Sequence, residues 1–287
     1  METEWNGIME HTVETGKILA MDTSTKTLAC AIVEKGQVIQ ASHSAAERNH
    51  ALKLIPIVQE LLALENIASK DLDGIAVGIG PGSYTGVRVG VTAAKTLAWT
   101  LDKPVAAVSS LYALALTGAA QAESVIQDLP EHAKLIVYPM MDARRGQVYT
   151  GSFAGGREKL LRLIRHQDEL AALEEGLIRQ REDEIILFEK IVMQAADQLQ
   201  AESDVHILFA GETSPQQEAI EAIQAAHADR VHLMPCEIHA GWIGRAGELL
   251  LRQGKTTPAH QLEPNYAQLT EAETKLKARE QAASEPS

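Results

Sequence analysis

The sequence predicts an α/β fold in which a mixed sheet is flanked by helices. Three strand-like runs come first, "KILAMDTS", "LACAIVEKG" and "QVIQASHSA", and Lys35-Gly36 between the second and third is a hairpin signal. Strand-like and helical segments then alternate, so that the order is β-β-β-α-β-α-β-α. From about residue 134 the pattern restarts with a strand, a turn and a strand, "AKLIVYPMMDARRGQVYTGSFAGG".

Apolar spacing identifies the elements of the first part. "NHALKLIPIVQELLALENI" places Leu54, Ile57, Val58, Leu61 and Leu62 at the spacing of an amphipathic helix. "LDGIAVGIG" is a continuous apolar run, which is typical of a strand covered on both faces. A helix over "VRVGVTAAKTLAWTL", a strand over "KPVAAVS" and a helix over "SLYALALTGAA" are expected to follow.

The second part of the chain is more highly charged. Residues 157–200 combine dense charge with helical spacing, which predicts a helical insertion with a solvated acidic face. "VHILFAGE" predicts a buried strand, and "HAGWIGRAGELLLRQG" predicts the last helix. We therefore expect an N-terminal extension (1–16), a first half (17–122), a second half (123–267) that contains the insertion, and a polar, disordered tail (268–287).

Composition argues against several classes of protein. The 287 residues carry a net charge of −13, which disfavours a protein that binds nucleic acid mainly by itself. Cys30 and Cys236 lie far apart in sequence, which fits a reduced compartment without a disulfide framework. The acidic N-terminus is not typical of a signal or transit peptide, and no apolar run is long enough for a membrane span. We expect a soluble cytoplasmic protein.

A glycine-rich motif, "GIGPGSYTGVRVG" at 78–90, lies where a buried strand gives way to a helix. A strand, glycines and a helix N-terminus with free N–H groups can bind phosphate. The spacing, however, matches neither G-x-x-x-x-G-K-[ST] nor G-x-G-x-x-G. The alternative is that Gly86 and Gly90, four residues apart on one helical face, leave a smooth strip for close packing.

The residues alone leave two versions of that packing open. Each glycine inside a helix costs about 0.8–1 kcal/mol relative to alanine, so the pair indicates that another backbone comes close. This backbone could belong to the same domain. It could also belong to a second protein, and Val87, Arg88 and Val91 would then border the contact strip.

Three motifs together resemble the TsaB (YeaZ) family. They are "LAMDTSTKTLACAI", "GIGPGSYTGVRVG" and "MDARRGQVY", and the resemblance covers residues 17–153 well and 205–266 loosely. It implies an actin-like ATPase fold, of the ASKHA or ribonuclease H-like class, with two similar halves. It also implies a role in forming threonylcarbamoyladenosine next to the anticodon of tRNAs that read codons beginning with adenosine.

The resemblance further implies a non-catalytic scaffold. Such a subunit pairs with its catalytic paralogue TsaD and is joined by the ATPase TsaE, so ATP and metal belong to the partners and tRNA is met through the complex. The pairing uses the first two helices, expected at about 49–64 and 84–100, and a homodimer through the same face would compete. The implied interface residues are His50, Leu54, Ile57, Tyr84, Gly86, Val87, Arg88, Gly90, Val91 and Ala94.

A nucleotide site is the main catalytic alternative. In the implied fold, Asp22, Thr23 and Ser24 follow the first strand near the phosphates, and such residues can hold Mg²⁺ and phosphate. They can equally form an ordinary turn capped by side chains. The second half has Arg144 and Arg145 in its corresponding turn and one glycine in "FAGE", so we expect a vestigial site. A stand-alone actin-like ATPase or small-molecule kinase is the alternative function.

A metal site is not expected. His232, Cys236 and His239 are the nearest approach to a zinc-ligand cluster, but no fourth ligand is in register with them. The arginines Arg144 and Arg145 could contact RNA or pair with nearby acids, and the sequence does not decide between these roles.

A peptidase is the least expected alternative. Ser83, His50 and Asp22 could be drawn as a catalytic triad. The sequence "GPGSYTG" is not the G-x-S-x-G of a nucleophile elbow, and nothing places His50 next to Ser83. The sequence therefore predicts no catalytic residues.

Overall fold

The first five strands form a mixed sheet. The structure, a computed structural model, describes residues 16–45, 49–166 and 168–267. In the first sheet β1 is central, pairing antiparallel with β2 and parallel with β4, and the order is β3-β2-β1-β4-β5. Its strands are β1 (Lys17–Asp22), β2 (Thr27–Glu34), β3 (Gln37–Ala45), β4 (Gly74–Gly78) and β5 (Val105–Val108).

The predicted hairpin between β2 and β3 is confirmed. Glu34 pairs with Gln37, which leaves a loop of two residues. Lys35 and Gly36 in this loop have φ angles of 51° and 77°. Positive φ at both positions is the type I′ geometry, whose twist matches that of the flanking strands.

The second sheet repeats the plan of the first. Here β6 is central, pairing antiparallel with β7 and parallel with β9, in the order β10-β9-β6-β7-β8. The two mixed sheets confirm the predicted actin-like architecture of two similar halves. The strands are β6 (Lys134–Asp142), β7 (Gln147–Gly156), β8 (Ile178–Leu187), β9 (Val205–Gly211) and β10 (Val231–Pro235).

Helices cover both faces of each sheet. On the first sheet, apolar side chains of α1 and α2 pack on one face and α9 packs on the other. On the second sheet, α7 and α8 cover one face and α3 the other. The α-helices are α1 (His50–Leu64), α2 (Tyr84–Leu101), α3 (Ser110–Gln121), α4 (Glu123–Asp128), α5 (Arg157–Arg165), α6 (Ala171–Gly176), α7 (Phe188–Ala201), α8 (Gln217–Ala226) and α9 (Ala240–Arg252).

Two helices are exchanged between the halves. Helix α3 belongs to the first half in sequence but packs on β6, β7 and β9 of the second sheet. Helix α9 belongs to the second half but packs on β1, β2, β4 and β5 of the first sheet. The strands of the two sheets therefore lie on opposite sides of the predicted boundary at residue 122. The hydrophobic core does not divide there, because one hydrophobic cluster contains residues of both halves.

The prediction that residues 157–200 are wholly helical is wrong. Residues Ile178–Leu187 form β8, an edge strand antiparallel to β7. The charges of this strand, "IRQREDEIIL", suggested a solvated helical face, but they suit an edge strand, where charged side chains discourage further pairing. Arg179 pairs with Asp183 at 2.5 Å and Arg181 pairs with Glu184 at 2.5 Å along the strand.

The remaining predictions concern the termini and the membrane. The N-terminal extension and the polar tail lie outside the described residues, apart from Gly16. In the described parts of the chain, no helix is long and apolar enough to cross a bilayer.

Candidate partner-binding site on the first two helices

Helix α2 begins against the turn that follows β1. The Ser83 hydroxyl caps the helix by accepting a hydrogen bond from the Gly86 amide at 3.3 Å. The Ser83 amide in turn donates to the Ser24 carbonyl at 2.7 Å. A Cβ on Gly82 would lie 2.4 Å from that same carbonyl oxygen. This loop glycine therefore lets the chain pack against its own turn, where a phosphate loop would leave space for a ligand.

The Thr23 hydroxyl is inserted into the backbone of α2. It donates to the Gly86 carbonyl at 2.7 Å and accepts from the Gly90 amide at 3.0 Å. These are the two backbone groups that a regular helix pairs with each other. A Cβ on Gly86 would lie 2.1 Å from the Thr23 carbonyl oxygen, and one on Gly90 would lie 2.5 Å from the Thr23 hydroxyl. Both glycines are therefore needed to admit Thr23.

The predicted glycine strip is thus not available to a partner, and this part of the interface prediction is wrong. Gly86 and Gly90 are buried against the protein's own β1–β2 turn. The close approach is within the same chain, as the first of the two sequence alternatives stated. Three further residues of α2 from the predicted interface, Val87, Val91 and Ala94, are also buried in the first half's core, and so is Leu54 of α1.

His50 also departs from its predicted role as a partner contact. It is 8% exposed, and its Nε2 atom has no hydrogen-bond partner among residues 16–45, 49–166 and 168–267. Burial lowers the pKa of His50, and the nearby Asp22 carboxylate acts in the opposite direction. His50 therefore lies beneath the surface, at the edge of the cleft between the halves.

The exposed surface lies on the neighbouring face of α2. Tyr84 is 51% exposed and Arg88 is exposed, as a partner contact requires, and Ile57 on α1 is half-buried. Between α1 and α2 runs a largely apolar groove of about 530 Å³. It is lined by Ala51, Leu54, Ile55, Tyr84, Thr85, Arg88, Val89, Thr92, Ala93, Thr96 and Leu97.

The same two helices also carry large apolar side chains that face solvent. Leu52 is 76% exposed, Leu64 is 59% exposed and Trp99 is 80% exposed. A contiguous apolar groove that is open to solvent marks an interaction surface more often than scattered apolar side chains do. We name the groove together with these three side chains the α1–α2 surface.

Sequence reasoning missed Ile55, Val89, Ala93 and Leu97, which line the groove. The four residues come from the two helices that the resemblance implied, but they lie beside the core-facing stripes. A signal was present, because α2 carries more apolar and small residues than one buried stripe requires.

Asp22 is fully engaged in hydrogen bonds. One carboxylate oxygen accepts from the Ser24 amide at 2.8 Å and the Ser24 hydroxyl at 2.6 Å. The other accepts from the Ser110 hydroxyl at 2.5 Å. Burial raises the pKa of Asp22, and these hydrogen bonds oppose that effect. Asp22 and Ser24 thus form the capped turn that the sequence allowed, and Thr23 holds α2.

A polar cleft of about 620 Å³ opens between the halves. It is lined by two basic residues, Lys26 from the β1–β2 turn and Arg144 from the β6–β7 turn. The acidic residues Asp142 and Glu212 also line it and offset their positive charge. The Glu212 carboxylate accepts from the Asp142 amide at 2.8 Å, and Asp142 accepts from the Arg144 amide at 2.9 Å. The acids therefore shape the turn that carries Arg144 and Arg145.

The zinc and peptidase constellations do not form. His232 stacks on His206 at 5.8 Å between ring centroids, and the His239 ring contacts that of His43 in a tilted arrangement at 4.7 Å. Cys236 is partly buried, and this burial raises its pKa to about 12. Within the described residues, no group of three His, Cys, Asp or Glu side chains is placed to bind a metal ion.

The alternative catalytic triad of Ser83, His50 and Asp22 does not form either. The Ser83 hydroxyl is used as the cap of α2, and Asp22 is held by Ser24 and Ser110. The Nε2 atom of His50 bonds to neither Ser83 nor any other described residue, so these three side chains do not form a serine–histidine–aspartate relay.

Comparisons with known proteins agree with this architecture. The family model described as "TsaD: tRNA N6-adenosine threonylcarbamoyltransferase" matches residues 42–276. The chain is 34% identical to the tRNA threonylcarbamoyladenosine biosynthesis protein TsaB of Bacillus subtilis (strain 168), over 90% of this chain and 96% of that protein. It is 30% identical to the protein of the same name from Escherichia coli (strain K12), over 65% and 68% of the two chains.

A solved structure has the same fold. It is YeaZ from Pseudomonas aeruginosa, which superposes with a TM-score of 0.59 and 22% identity. The match covers 88% of this chain and 99% of that one.

Proposed function

As the chain belongs to the TsaB (YeaZ) family, we propose that it takes part in tRNA threonylcarbamoyladenosine biosynthesis as a scaffold that binds a TsaD-type threonylcarbamoyltransferase. The α1–α2 surface is the observation that carries the proposal. In this complex the transferase supplies the catalytic site, a TsaE-type ATPase joins, and tRNA is met through the assembly. A homodimer through the same surface would compete with the transferase.

The chemistry of the α1–α2 surface supports a helical partner. A groove between two helices, with an apolar floor and apolar walls, accepts the apolar face of another helix. Arg88 lines the groove, and none of the ion pairs found among the described residues includes it. Arginine and large aromatic residues are enriched at the energetically important positions of interfaces. Arg88, Tyr84 and Trp99 are therefore the expected anchors.

Three features support a non-catalytic role. Both carboxylate oxygens of Asp22 are occupied by hydroxyl and amide donors of the same chain. The Thr23 hydroxyl is committed to the backbone of α2. The β6–β7 turn presents arginine side chains, as the sequence indicated. We propose that the chain needs no cofactor of its own, and that ATP and metal belong to its partners.

Complex formation tests the proposal. The full chain is mixed with a purified TsaD-type transferase, and the dissociation constant is measured by calorimetry. Ile55→Glu places a charge on a groove-lining residue that is 40% exposed, so it should leave folding intact. We expect this variant to weaken binding by at least about 100-fold and to slow threonylcarbamoylation by the reconstituted complex.

Met193→Glu is the matched control. Met193 is 66% exposed on α7 of the second half, away from the groove, so the same new charge there should leave the affinity unchanged. Equal affinity of the wild type and Ile55→Glu would exclude the α1–α2 surface as the docking site. Mg-ATP hydrolysis by the isolated chain would contradict the non-catalytic role.

A further inference from the structure

The last described segment of the chain returns to the first half and follows α2 along its length. We name residues 255–267 the C-terminal strap. Its Thr257 amide donates to the Val105 carbonyl at 2.9 Å, and Leu262 is buried in the core beneath α2. Lys95 of α2 donates to the His260 carbonyl at 2.9 Å. The strap is therefore fixed to the first half, although it follows the second half in sequence.

The strap ends beside the first residue of α2. The Asn265 amide donates to the Ile79 carbonyl at 2.7 Å, just before the glycine-rich loop. The Tyr266 ring then stacks on the Tyr84 ring at 5.3 Å between centroids. Tyr84 also carries Arg88, whose guanidinium lies 5.2 Å from the ring centroid and donates to the Tyr84 hydroxyl at 3.0 Å. The three side chains form one stack at the end of the groove.

This stack is open to solvent. Tyr84 is 51% exposed and Tyr266 is 42% exposed. In the described parts of the chain, Trp99 is the other aromatic side chain with such exposure. Aromatic rings can be ordered at a low entropic cost, because they have few rotatable bonds, and this favours them at interfaces.

A buried carboxylate holds the strap in place. Asp183 of β8 is 5% exposed at its side chain, and it accepts from the Ser109 hydroxyl at 2.7 Å and from the Asn265 side-chain amide at 3.3 Å. Its other oxygen accepts from Arg179 at 2.5 Å. Asp183 thus joins the second sheet, the start of α3 and the end of the strap.

We propose that residues 264–267 complete the partner-binding surface, with Tyr266 as a direct contact and Asp183 as the positioning residue behind it. The inference rests on the proposed function. The occupant is the same helical partner, because the stack continues the α1–α2 groove through Tyr84 and Arg88. The helix end that lies on the stack carries an apolar side chain against the two rings and an acidic side chain against Arg88.

The first test measures affinity for the purified TsaD-type transferase. Tyr266→Ala should weaken binding about tenfold, because it removes an exposed ring without opening a cavity in the core. Asp183→Asn should weaken binding by a similar factor, because its amide group presents a donor where the carboxylate accepts from the strap and from Ser109. In the Tyr266→Ala background, Asp183→Asn should have no further effect.

This double-mutant cycle shows whether Asp183 affects binding by positioning Tyr266 or by an independent route. If Asp183 did not act through Tyr266, the two affinity losses would multiply in the double variant, and that result would overturn its positioning role. The salt dependence of binding tests the acidic group opposite Arg88, because raised ionic strength should weaken the wild type more than Arg88→Gln. Equal salt dependence would overturn that assignment.

The outcomes also distinguish this inference from the proposed function. If Ile55→Glu abolishes binding while Tyr266→Ala binds like the wild type, the groove is the docking site and the strap is not part of it. If neither variant changes binding, the α1–α2 surface itself is excluded. Capture of a base or nucleotide on the tyrosine stack, without an effect of Tyr266→Ala on the transferase, would assign the stack to RNA and overturn the inference.

Discussion

Replacing Gly86 by alanine tests whether α2 packs inward through its glycines. In an open helical position the added methyl group would stabilise the protein by about 1 kcal/mol. Here the methyl would lie 2.1 Å from the Thr23 carbonyl oxygen, a backbone atom that cannot rotate away. Overpacking of this kind costs about 1–3 kcal/mol. Displacement of Thr23 also breaks its two hydrogen bonds to α2, at about 1 kcal/mol each.

We therefore expect Gly86→Ala to lower the free energy of unfolding by about 2–4 kcal/mol, measured by urea denaturation. Gly156→Ala is the control, because Gly156 has no positive φ and a Cβ there meets nothing within 4 Å. Its effect should stay at or below about 1 kcal/mol, because Gly156 is the N-cap of α5, where alanine is less favourable than glycine but no atom has to move.

Gly90→Ala provides a sharper version of the same test. The nearest atom to its new methyl is the Thr23 hydroxyl oxygen at 2.5 Å, and the next is at 3.7 Å. The variant should lose about 1 kcal/mol, but in a Thr23→Ala background it should become stabilising. Gly86→Ala should stay destabilising in that background, because its obstacle is backbone. If Gly86→Ala stabilised the otherwise wild-type protein, Gly86 would not be packed against Thr23, and the glycine face of α2 would be open.

Three further predictions concern titration, thiol reactivity and nucleotide. Burial lowers the pKa values of His206 and His232, so the unfolded chain binds more protons than the folded chain below about pH 6.5. The free energy of unfolding should therefore fall on acidification, by up to about 1.4 kcal/mol per pH unit for each histidine. Urea titrations at pH 7.5 and 5.5 should show this slope, and a double His206→Gln, His232→Gln variant should reduce it to the part contributed by His43, His50 and His239, whose pKa values burial also lowers. Burial raises the pKa values of Cys30 and Cys236 to about 12. Neither thiol should therefore react with an aromatic disulfide reagent at pH 8 until the protein is unfolded. Rapid reaction of the native protein would contradict their burial. Mg-ATP should release no binding heat with the isolated chain, since Asp22 is already satisfied, and micromolar binding would show that the turn after β1 still works.

The fold could be predicted from the sequence where patterns are local. The Lys35-Gly36 turn requires positive φ at two successive positions, and the order of strands and helices in the first half followed from apolar periodicity. The strand β8 could not be predicted in this way, because its edge position lets charged side chains such as Arg181 and Glu184 occur at a spacing that also suits a helix.

The family resemblance indicated the two helices that line the candidate site, α1 and α2. It did not indicate which faces of these helices are exposed. Glycine spacing correctly indicated that a backbone approaches α2, but it does not reveal whose backbone it is. The approaching group is Thr23, which lies 63 residues from Gly86 in sequence, so only the folded chain could identify it. The contribution of Tyr266 was invisible for the same reason, since it depends on the path of the strap past Asp183.

Hydrogen exchange of the chain with and without the TsaD-type transferase is the most direct test of whether the α1–α2 surface and the end of the C-terminal strap bind the transferase. We expect slower exchange in α1, in α2 and at the end of the C-terminal strap when the transferase is added, and no change in α7. Protection confined to the second half, with α1 and α2 exchanging as in the free protein, would contradict this expectation.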